Sequence, residues 1–235
     1  MTDELFRQDA YLKSCEARVI AVDTHGIRLD RTVFYPEGGG QPGDTGRLLL
    51  AGGASLRILD TKKHPESGAP VHVPEPGAPA PAVGDTVTAE IDWDRRHRHM
   101  RMHTCLHLLC AIVTGAVTGG ALSEAKGRLD FDLPDTALDK EKLNAELNRL
   151  IREDHSVRPR WISDEELAVQ PDLVRTMSVK PPTGTGKVRL LDIEGVDLQP
   201  CGGTHVARTG EIGAVQVGKI ENKGRHNRRI NIAFA

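Results

Sequence analysis

The chain of 235 residues has little of several features that define large classes of protein. It contains no run approaching the ~20 consecutive apolar residues of a membrane-spanning helix, so we expect no membrane partner. Its amino-terminal stretch, MTDELFRQDAYLKSCEA, is polar and acidic and has no apolar signal-peptide core. Aromatic residues make up only 3% of the chain, which argues against nucleic-acid binding dominated by base stacking.

Cysteine is also scarce. The four cysteines, Cys15, Cys105, Cys110 and Cys201, show no disulfide-framework spacing, and this pattern favours a reducing, cytoplasmic location. Hydrophobic residues account for 38% and charged residues for 27%, as in ordinary globular proteins. The length suits one large domain or two small domains.

The first part of the chain is rich in strand and turn signals. Apolar runs flanking short turns predict hairpins over 17–29 and 48–59. The segment 65–83 is rich in proline and is predicted to be a loop or extended connector. Because 87–93 alternates apolar and polar residues, it is predicted to be a half-buried strand. Residues 1–92 are therefore predicted to form a β-rich, barrel-like domain.

The second part mixes helix and strand signals. Apolar residues at three- and four-residue spacing predict a helix over 95–117, ended by Gly119-Gly120. A capping box, Thr136-x-x-Asp139, predicts a second amphipathic helix. Antiparallel strands are expected at 188–193, 212–220 and 229–234. The fold class is α+β, with residues 93–235 forming helices packed on an antiparallel sheet.

Two short pairs of side chains have the spacing of metal ligands. His103-x-x-x-His107 places two imidazoles on one helix face, about 5–6 Å apart at Cβ. In Cys201-x-x-x-His205 the intervening Gly-Gly allows the backbone to turn so that both side chains point the same way. Together the pairs offer imidazoles and a thiolate, a ligand set that suits Zn²⁺.

An ordinary structural interpretation of these pairs stays open. In a chain with ten histidines such a pair arises readily by chance, and His99 and His103 form another. Cys201 could be a small buried hydrophobe. A closed site of one cysteine and three histidines would also suit a structural rather than a catalytic zinc.

Two familiar catalytic classes are disfavoured by the motifs. Thr104 occupies the position that would be glutamate in an H-E-x-x-H metallopeptidase, and that glutamate is the general base. The glycine-rich segment 35–46 is followed by no Gly-Lys-Ser/Thr and does not read G-x-G-x-x-G, so no dinucleotide cofactor is expected. This segment is either a structural turn or a loop that lets the backbone approach a ligand.

The motifs taken together resemble those of a known family. The likeness covers nearly the whole chain, in order, and its CGGTH and HTxxH segments are highly specific. The segments that carry it are Gly38-Gly39-Gly40-Gln41-x-Gly43-Asp44-x-Gly46, Arg101-x-His103-Thr104-x-x-His107, Arg128-x-Asp130-Phe131, Cys201-Gly202-Gly203-Thr204-His205 and Lys219–Arg229. The chain resembles the editing domain of alanyl-tRNA synthetase and, lacking the aminoacylation core, a freestanding alanyl-tRNA editing protein (AlaX family, medium-length form).

The resemblance implies a function and a site. It implies trans-editing, in which a zinc-dependent deacylase hydrolyses the ester of Ser-tRNA(Ala), with Gly-tRNA(Ala) as a second candidate substrate. The implied zinc ligands are His103, His107, Cys201 and His205. The implied catalytic residues are Thr104, which would sense the serine hydroxyl, together with His103, His107 and Cys201. The implied substrate-binding residues are Gly38, Gly39, Gly40, Gln41, Asp44, Arg128 and Asp130.

Two other functions remain compatible with the residues. One is a zinc hydrolase that acts on a small ester or amide, and it would be indifferent to the body of the tRNA. The other is a non-catalytic tRNA-binding module with a structural zinc, which would unfold on chelation and show no ester turnover.

The overall charge of −2 hides an asymmetry, because basic residues cluster at the start of the predicted helix. We predict that Arg95, Arg96, Arg98 and Arg101 contact tRNA phosphates. Replacing the first three by alanine is expected to weaken tRNA binding and to flatten its dependence on salt. Titrations of tRNA at several salt concentrations would check this, and an unchanged slope would make these arginines part of a solvated face.

Overall fold

The computed structural model describes residues 2–133, 138–170, 173–174 and 186–235. These residues form two compact units, Met1–His97 and Arg98–Ala235. The domain division predicted after residue 92 lies close to the division between the units. No helix within the described ranges combines the length and the apolar character needed to cross a lipid bilayer.

The first unit is a small closed β-barrel. The strands of the unit are β1 (Asp3–Glu4), β2 (Ser14–Asp23), β3 (Gly26–Leu29), β4 (Arg31–Thr32), β5 (Gly46–Leu50), β6 (Ser55–Lys63), β7 (Pro70–Pro74) and β8 (Thr86–Ile91). Six of them follow one another around the barrel in the order β2-β3-β7-β6-β5-β8, and every neighbouring pair is antiparallel. The short β1 and β4 pair in parallel outside the barrel.

Alternation along the strands fills the barrel. In β2 Ala17 and Val19 are buried and their neighbours are exposed, and in β8 Val87, Ala89 and Ile91 are buried. Residues of opposite parity face solvent, as the two-residue period of a strand requires. The predicted barrel and its two hairpins are therefore confirmed.

The prediction that 65–83 is a connector was wrong in part. Residues Pro70–Pro74 form the barrel strand β7, which pairs with both β6 and β3. Pro70 and Pro74 stand at the two ends of this strand, where a missing backbone N–H costs little. Val71 and His72 between them are both buried, and the His72 ring packs against Phe34 of the barrel core. A proline-rich composition therefore concealed a strand.

A buried ion pair ties the start of the following helix to the barrel. The Arg96 guanidinium is fully buried and bonds Asp44, with Nε 3.0 Å from Oδ1. Its remaining N–H groups donate to the carbonyls of Val33, at 2.7 Å, and Ala10, at 3.1 Å. Each of the three guanidinium nitrogens thus meets an acceptor, and such pairing and hydrogen bonding are the condition under which a buried charge is tolerated.

The second unit contains most of the first helix and two antiparallel sheets. The helices are α1 (Trp93–Ile112), α2 (Lys140–Arg152) and α3 (Asp164–Ala168). The strands are β9 (Ala116–Leu122), β10 (Lys126–Asp132), β11 (Val157–Ser163), β12 (Lys187–Ile193), β13 (Asp197–Pro200), β14 (Val215–Asn222) and β15 (Asn227–Phe234). One sheet has the order β14-β15-β10-β9 and the other β11-β12-β13, which confirms the predicted α+β class.

The predicted end of the first helix was wrong. The helix ends at Ile112, and Gly119 and Gly120 lie inside strand β9. Gly119 pairs with Asp130 at a bulge, and a Cβ built on it would lie 3.3 Å from the Asp130 carboxylate. Glycine inside a strand marks such a bulge or close approach, so these glycines accommodate a side chain rather than terminate a helix.

The second predicted helix is confirmed, with one part of its signal outside the described residues. Asp139 is the N-cap and accepts the N–H groups of Glu141 and Lys142, whereas Thr136 is outside the described ranges. The predicted apolar face is buried throughout. It consists of Leu143, Leu147, Leu150 and Ile151.

Two asparagines of α2 occupy the edge of the four-stranded sheet. The Asn148 side chain accepts the N–H of Val215 and donates to its carbonyl, at 3.1 and 2.9 Å. Asn144, one turn earlier, accepts the N–H of Val217 at 3.0 Å. These amides supply part of the pairing that a further strand beside β14 would otherwise provide.

The buried ion pair of the first unit predicts a large loss of stability on substitution. Asp44→Asn leaves the Arg96 charge buried without its counter-charge, and should lower the free energy of unfolding by about 3–5 kcal/mol. Urea denaturation would measure the change. The matched control is Glu90→Gln, which breaks the exposed Arg47–Glu90 pair and should cost less than about 1 kcal/mol. Equal losses for both variants would contradict the assignment.

Candidate metal centre

Four side chains from two distant segments meet at one point of the second unit. His103 and His107 come from α1, and Cys201 and His205 come from the loop that follows β13. Their ligand atoms all lie within 4.8 Å of one another. The three histidines are buried, and Cys201 is partly exposed. The two pairs singled out in the sequence therefore form one group, which does not include His99.

The spacing within this group matches a tetrahedral zinc site. The Cys201 Sγ atom lies 3.2 Å from His205 Nε2 and 3.6 Å from His103 Nε2. Zn–S and Zn–N bonds at a tetrahedral angle would separate sulfur from nitrogen by about 3.6 Å. Three imidazoles and a thiolate are also ligands that zinc prefers. The residues present therefore fit a metal ion of this type.

The helix supplies its two histidines from a buried face. Met102, Leu106 and Leu109 are buried around them and fix this part of α1 in the core of the unit. The rings of His103 and His107 are one turn apart, with centroids at 5.4 Å. Helical periodicity alone thus sets the distance between these two ligands.

The loop residues are positioned by the neighbouring strand β12. The Cys201 N–H donates to the Arg189 carbonyl at 3.1 Å, which extends the pairing of β12 with β13 by one residue. The buried Arg189 guanidinium donates to the carbonyls of Cys201, at 2.7 Å, and Gly203, at 3.1 Å. The Gly203 N–H points at the Cys201 sulfur, at 3.5 Å. Arg189 was not among the predicted site residues.

Two histidines of the cluster each have a polar side chain near one ring nitrogen. Thr104 Oγ1 lies 3.3 Å from His205 Nδ1, and also contacts the Met100 carbonyl and the Val206 N–H. His107 Nδ1 lies 3.7 Å from the Asp197 carboxylate. Metal-binding histidines commonly have such partners, which fix the tautomer and the ring orientation.

The contacts of Thr104 constrain its predicted role. Its hydroxyl is fully buried, and its three protein contacts use the hydrogen-bonding capacity of one oxygen. In this arrangement Thr104 positions His205. Direct sensing of a substrate hydroxyl stays a prediction, and it requires Thr104 to exchange one of these contacts.

Asp197 is a site residue that sequence reasoning missed. It is buried at the start of β13, and its Oδ2 accepts from Gln199 Nε2 at 2.7 Å. The two residues stand four and two positions before Cys201, on the same face of the strand. Asp197 is an even number of residues before Cys201, so along a strand both side chains point to the same face. This spacing was the sequence pattern that could have identified Asp197.

Charge interactions within the cluster favour the thiolate. Burial by itself raises the pKa of the Cys201 thiol, but the imidazoles of His103, His205 and His107 lower that pKa well below its ordinary value. Burial lowers the pKa of His107, yet the Cys201 thiolate and Asp197 raise it to about 9. Burial lowers the pKa of His205 well below its usual value. A metal cation would therefore find the Cys201 sulfur already deprotonated.

Cys105 behaves in the opposite way. It is fully buried next to Thr104, and burial raises the pKa of its thiol to about 12. It acts as a small apolar side chain in the helix core.

The glycine-rich loop of the first unit forms a tight turn. Gly38 and Gln41 are joined by backbone hydrogen bonds in both directions, at 3.0 and 3.1 Å. Gly39 and Gly40 form the exposed tip with positive φ, which only glycine adopts readily. Gln41 is buried. The predicted contact of this turn with substrate stays a prediction.

Three of the predicted tRNA-binding arginines and one predicted substrate-binding residue have structural roles. Arg96 and Asp44 are buried against each other, so neither presents a surface to a ligand, and their predicted functions are corrected on that ground. The Arg101 guanidinium donates to the Ile212 carbonyl and covers the Phe234 ring. Arg95 donates to the Gly43 carbonyl, at 3.3 Å.

Arg98 is the exposed member of the predicted tRNA-binding set. Because the triple replacement would disturb the buried ion pair, Arg98→Ala is the cleaner test of the predicted salt dependence. The predicted substrate-binding residues Arg128 and Asp130 are paired with each other at 2.8 Å. Asp130 also accepts two N–H groups of Arg229, which lowers the pKa of its carboxyl.

Comparisons with known proteins agree with the motifs. The family model described as threonyl and alanyl tRNA synthetase second additional domain matches residues 188–231, and the class II (A) tRNA synthetase model matches residues 7–95. The chain is 42% identical to the alanyl-tRNA editing protein AlaX-M of Methanosarcina mazei, over 98% of this chain and 95% of the relative. It is 35% identical to AlaX-M of Saccharolobus solfataricus, over 98% of each chain.

A longer class of relatives shares the same region. The alanine–tRNA ligase of Saccharolobus islandicus is 35% identical over 94% of this chain, which corresponds to 25% of the ligase. The AlaX-M relatives, by contrast, match along nearly their entire length. The chain belongs to the family of AlaX-M alanyl-tRNA editing proteins, as the motifs predicted.

The carboxylate behind His107 predicts a measurable effect on metal binding. Asp197→Asn removes the charge that orients and polarises the imidazole, and should weaken zinc affinity by about 10- to 100-fold. Competition with a chromogenic chelator would give the affinity. The control is Asp192→Asn, on the opposite face of the same sheet and paired with exposed Arg160. Asp192→Asn should bind zinc like the wild type, and an unchanged affinity in Asp197→Asn would contradict the assignment.

Proposed function

We propose that this protein is a zinc-dependent aminoacyl-tRNA deacylase that hydrolyses the serine ester of Ser-tRNA(Ala). The observation that carries the proposal is the convergence of His103, His107, Cys201 and His205 within 4.8 Å. Membership of the AlaX-M family supplies the class of substrate, since the relatives are named for editing of alanyl-tRNA.

The reaction is a simple acyl transfer to water. The water oxygen bonds to the ester carbonyl carbon, and the bond between that carbon and the ribose oxygen breaks. Of the two protons of the water, one goes to the ribose oxygen and the other is released to solvent. The products are tRNA with a terminal ribose hydroxyl group and the amino acid with a carboxylate. A bound zinc ion supplies Lewis acidity, and this suits either activation of water or orientation of the substrate.

The residues of the chain have positioning roles in this proposal. Asp197 orients His107, and Thr104 orients His205. Arg189 fixes the Cys201 loop through two carbonyls. The burial of the three histidines limits the access of bulk water, so polar contacts inside the cluster are stronger than at the surface.

The preference for serine over alanine is the part of the proposed function that rests on the motif resemblance. A site built to hydrogen-bond a hydroxyl rejects a substrate without one far more strongly than an apolar pocket rejects an extra hydroxyl. Thr104 is the residue we propose for this contact, because its neighbour His103 belongs to the metal group.

Deacylation assays test the proposal directly. Wild-type protein should release serine from Ser-tRNA(Ala) and leave Ala-tRNA(Ala) largely intact. Cys201→Ala removes a metal ligand and should reduce the rate by at least about 100-fold, together with the zinc content measured by mass spectrometry. Cys15→Ala, in the barrel unit, is the matched control and should retain both activity and zinc.

Specific outcomes separate the proposal from the two other functions. Serine release that is equally fast from a small serine ester would favour a general zinc esterase. Binding of tRNA without any turnover would favour a non-catalytic module. Full activity in Cys201→Ala would remove the metal group from the reaction.

A further inference from the structure

One aromatic side chain differs from the others in its exposure. The two Trp, two Tyr and four Phe residues of the chain all lie within the described ranges. Trp161 is the most exposed among these eight, with 49% of its surface accessible, and the rest are buried or half-buried. A single exposed apolar residue needs no explanation by itself, so the position of Trp161 in the fold decides its meaning.

Trp161 lies in the same row of the three-stranded sheet as a member of the metal group. In the antiparallel register Trp161 on β11 is directly opposite Arg189 on β12. Arg189 in turn accepts the backbone N–H of Cys201, which continues the row past the end of β13. Neighbouring strands are about 4.8 Å apart, so the row places the Trp161 backbone about 10 Å from that of Cys201.

The side chains of this row share one face of the sheet. Directly opposite residues of an antiparallel pair point to the same side. The other face carries Val188 and Leu190, which pack with Leu167 of α3 in a separate apolar cluster. Trp161 is therefore on the face that carries Arg189 and Cys201, and it is the solvent-exposed end of the row.

One cation shares a face of the sheet with this exposed ring. On the neighbouring strand the exposed Lys187 is diagonal to Trp161 on the same face. The two exposed arginines of β11, Arg158 and Arg160, point to the opposite face, where Arg160 pairs with Asp192. Among the described strands β11 pairs only with β12, although the loop that follows the metal group bonds to its first residue. An exposed aromatic ring beside a cation offers base stacking and attraction to phosphate, the two contributions that bind single-stranded nucleic acid.

We propose that Trp161 is a stacking platform for a base of the single-stranded 3′ end of the tRNA. The inference rests on the proposed function, because it places the esterified end at the metal group. The platform holds the nucleotide end beside the cluster through the π-face of a base, and so contributes to binding rather than to the chemical step.

Fluorescence of Trp161 tests the stacking contact without requiring turnover. Trp93→Phe leaves Trp161 as the single tryptophan of the chain. Addition of a short RNA that carries no amino acid and has the 3′-terminal sequence of alanine tRNA should then quench the Trp161 emission saturably. The same RNA without its last three nucleotides should quench it much less. Absence of quenching by the full RNA would overturn the proposal.

Kinetics on Ser-tRNA(Ala) provide the second test. Trp161→Ala should raise KM by about five- to 150-fold with kcat unchanged, the range expected for the loss of one base–aromatic stack. Trp161→Phe should restore most of the affinity, because its ring also stacks. A KM within twofold of wild type in the alanine variant, or no rescue by phenylalanine in a variant of unchanged Tm, would overturn the proposal.

These results also separate the inference from the function on which it rests. Quenching by the RNA without any release of serine by the wild type would retain the platform and reject the deacylase. The Trp161 emission per molecule could instead change with protein concentration and not with RNA, with dimers seen in sedimentation. That result would assign Trp161 to contacts between copies of the chain and overturn the proposal.

Discussion

The candidate metal centre depends on a helix and a loop that bring four polar side chains together in the second unit. His103 and His107 are fixed by helical periodicity, whereas Cys201 and His205 depend on a loop that has no regular structure of its own. The backbone bond from Cys201 to Arg189 and the two bonds from the Arg189 guanidinium hold that loop to the sheet. The positioning of the ligands is therefore a property of strand β12 as much as of the motif itself.

The sequence was informative where a short pattern determines local geometry. The two candidate ligand pairs, the barrel hairpins and the apolar face of α2 follow from spacing and alternation, whereas the four-residue set was implied by the family resemblance. Arg189 could not be found in this way, because its role depends on the register of β12 with β13 and on a side chain that crosses strands. Asp197 is in phase with Cys201, but that signal is visible only once 197–200 is recognised as a strand. Strand β7 was missed because prolines at its ends resemble a loop.

The arginine cluster shows how composition can mislead. A run of basic residues at a helix start suggested a nucleic-acid surface, yet Arg96 is the counter-charge of Asp44 inside the first unit. Charge counting cannot distinguish a buried guanidinium from a solvated one, since the difference lies in which acceptors the fold brings together. Of the predicted cluster, Arg98 is the member that the structure leaves exposed.

The asparagines of α2 have a consequence for association between molecules. Strand β14 is the last strand of its sheet, and an unpaired strand edge can recruit a strand from another copy of the chain. Asn144 and Asn148 occupy the backbone groups of Val215 and Val217, which denies a foreign strand its first hydrogen bonds. Two polar side chains on a helix thereby make this end of the sheet a poor template for aggregation, at little cost to the apolar face of the same helix.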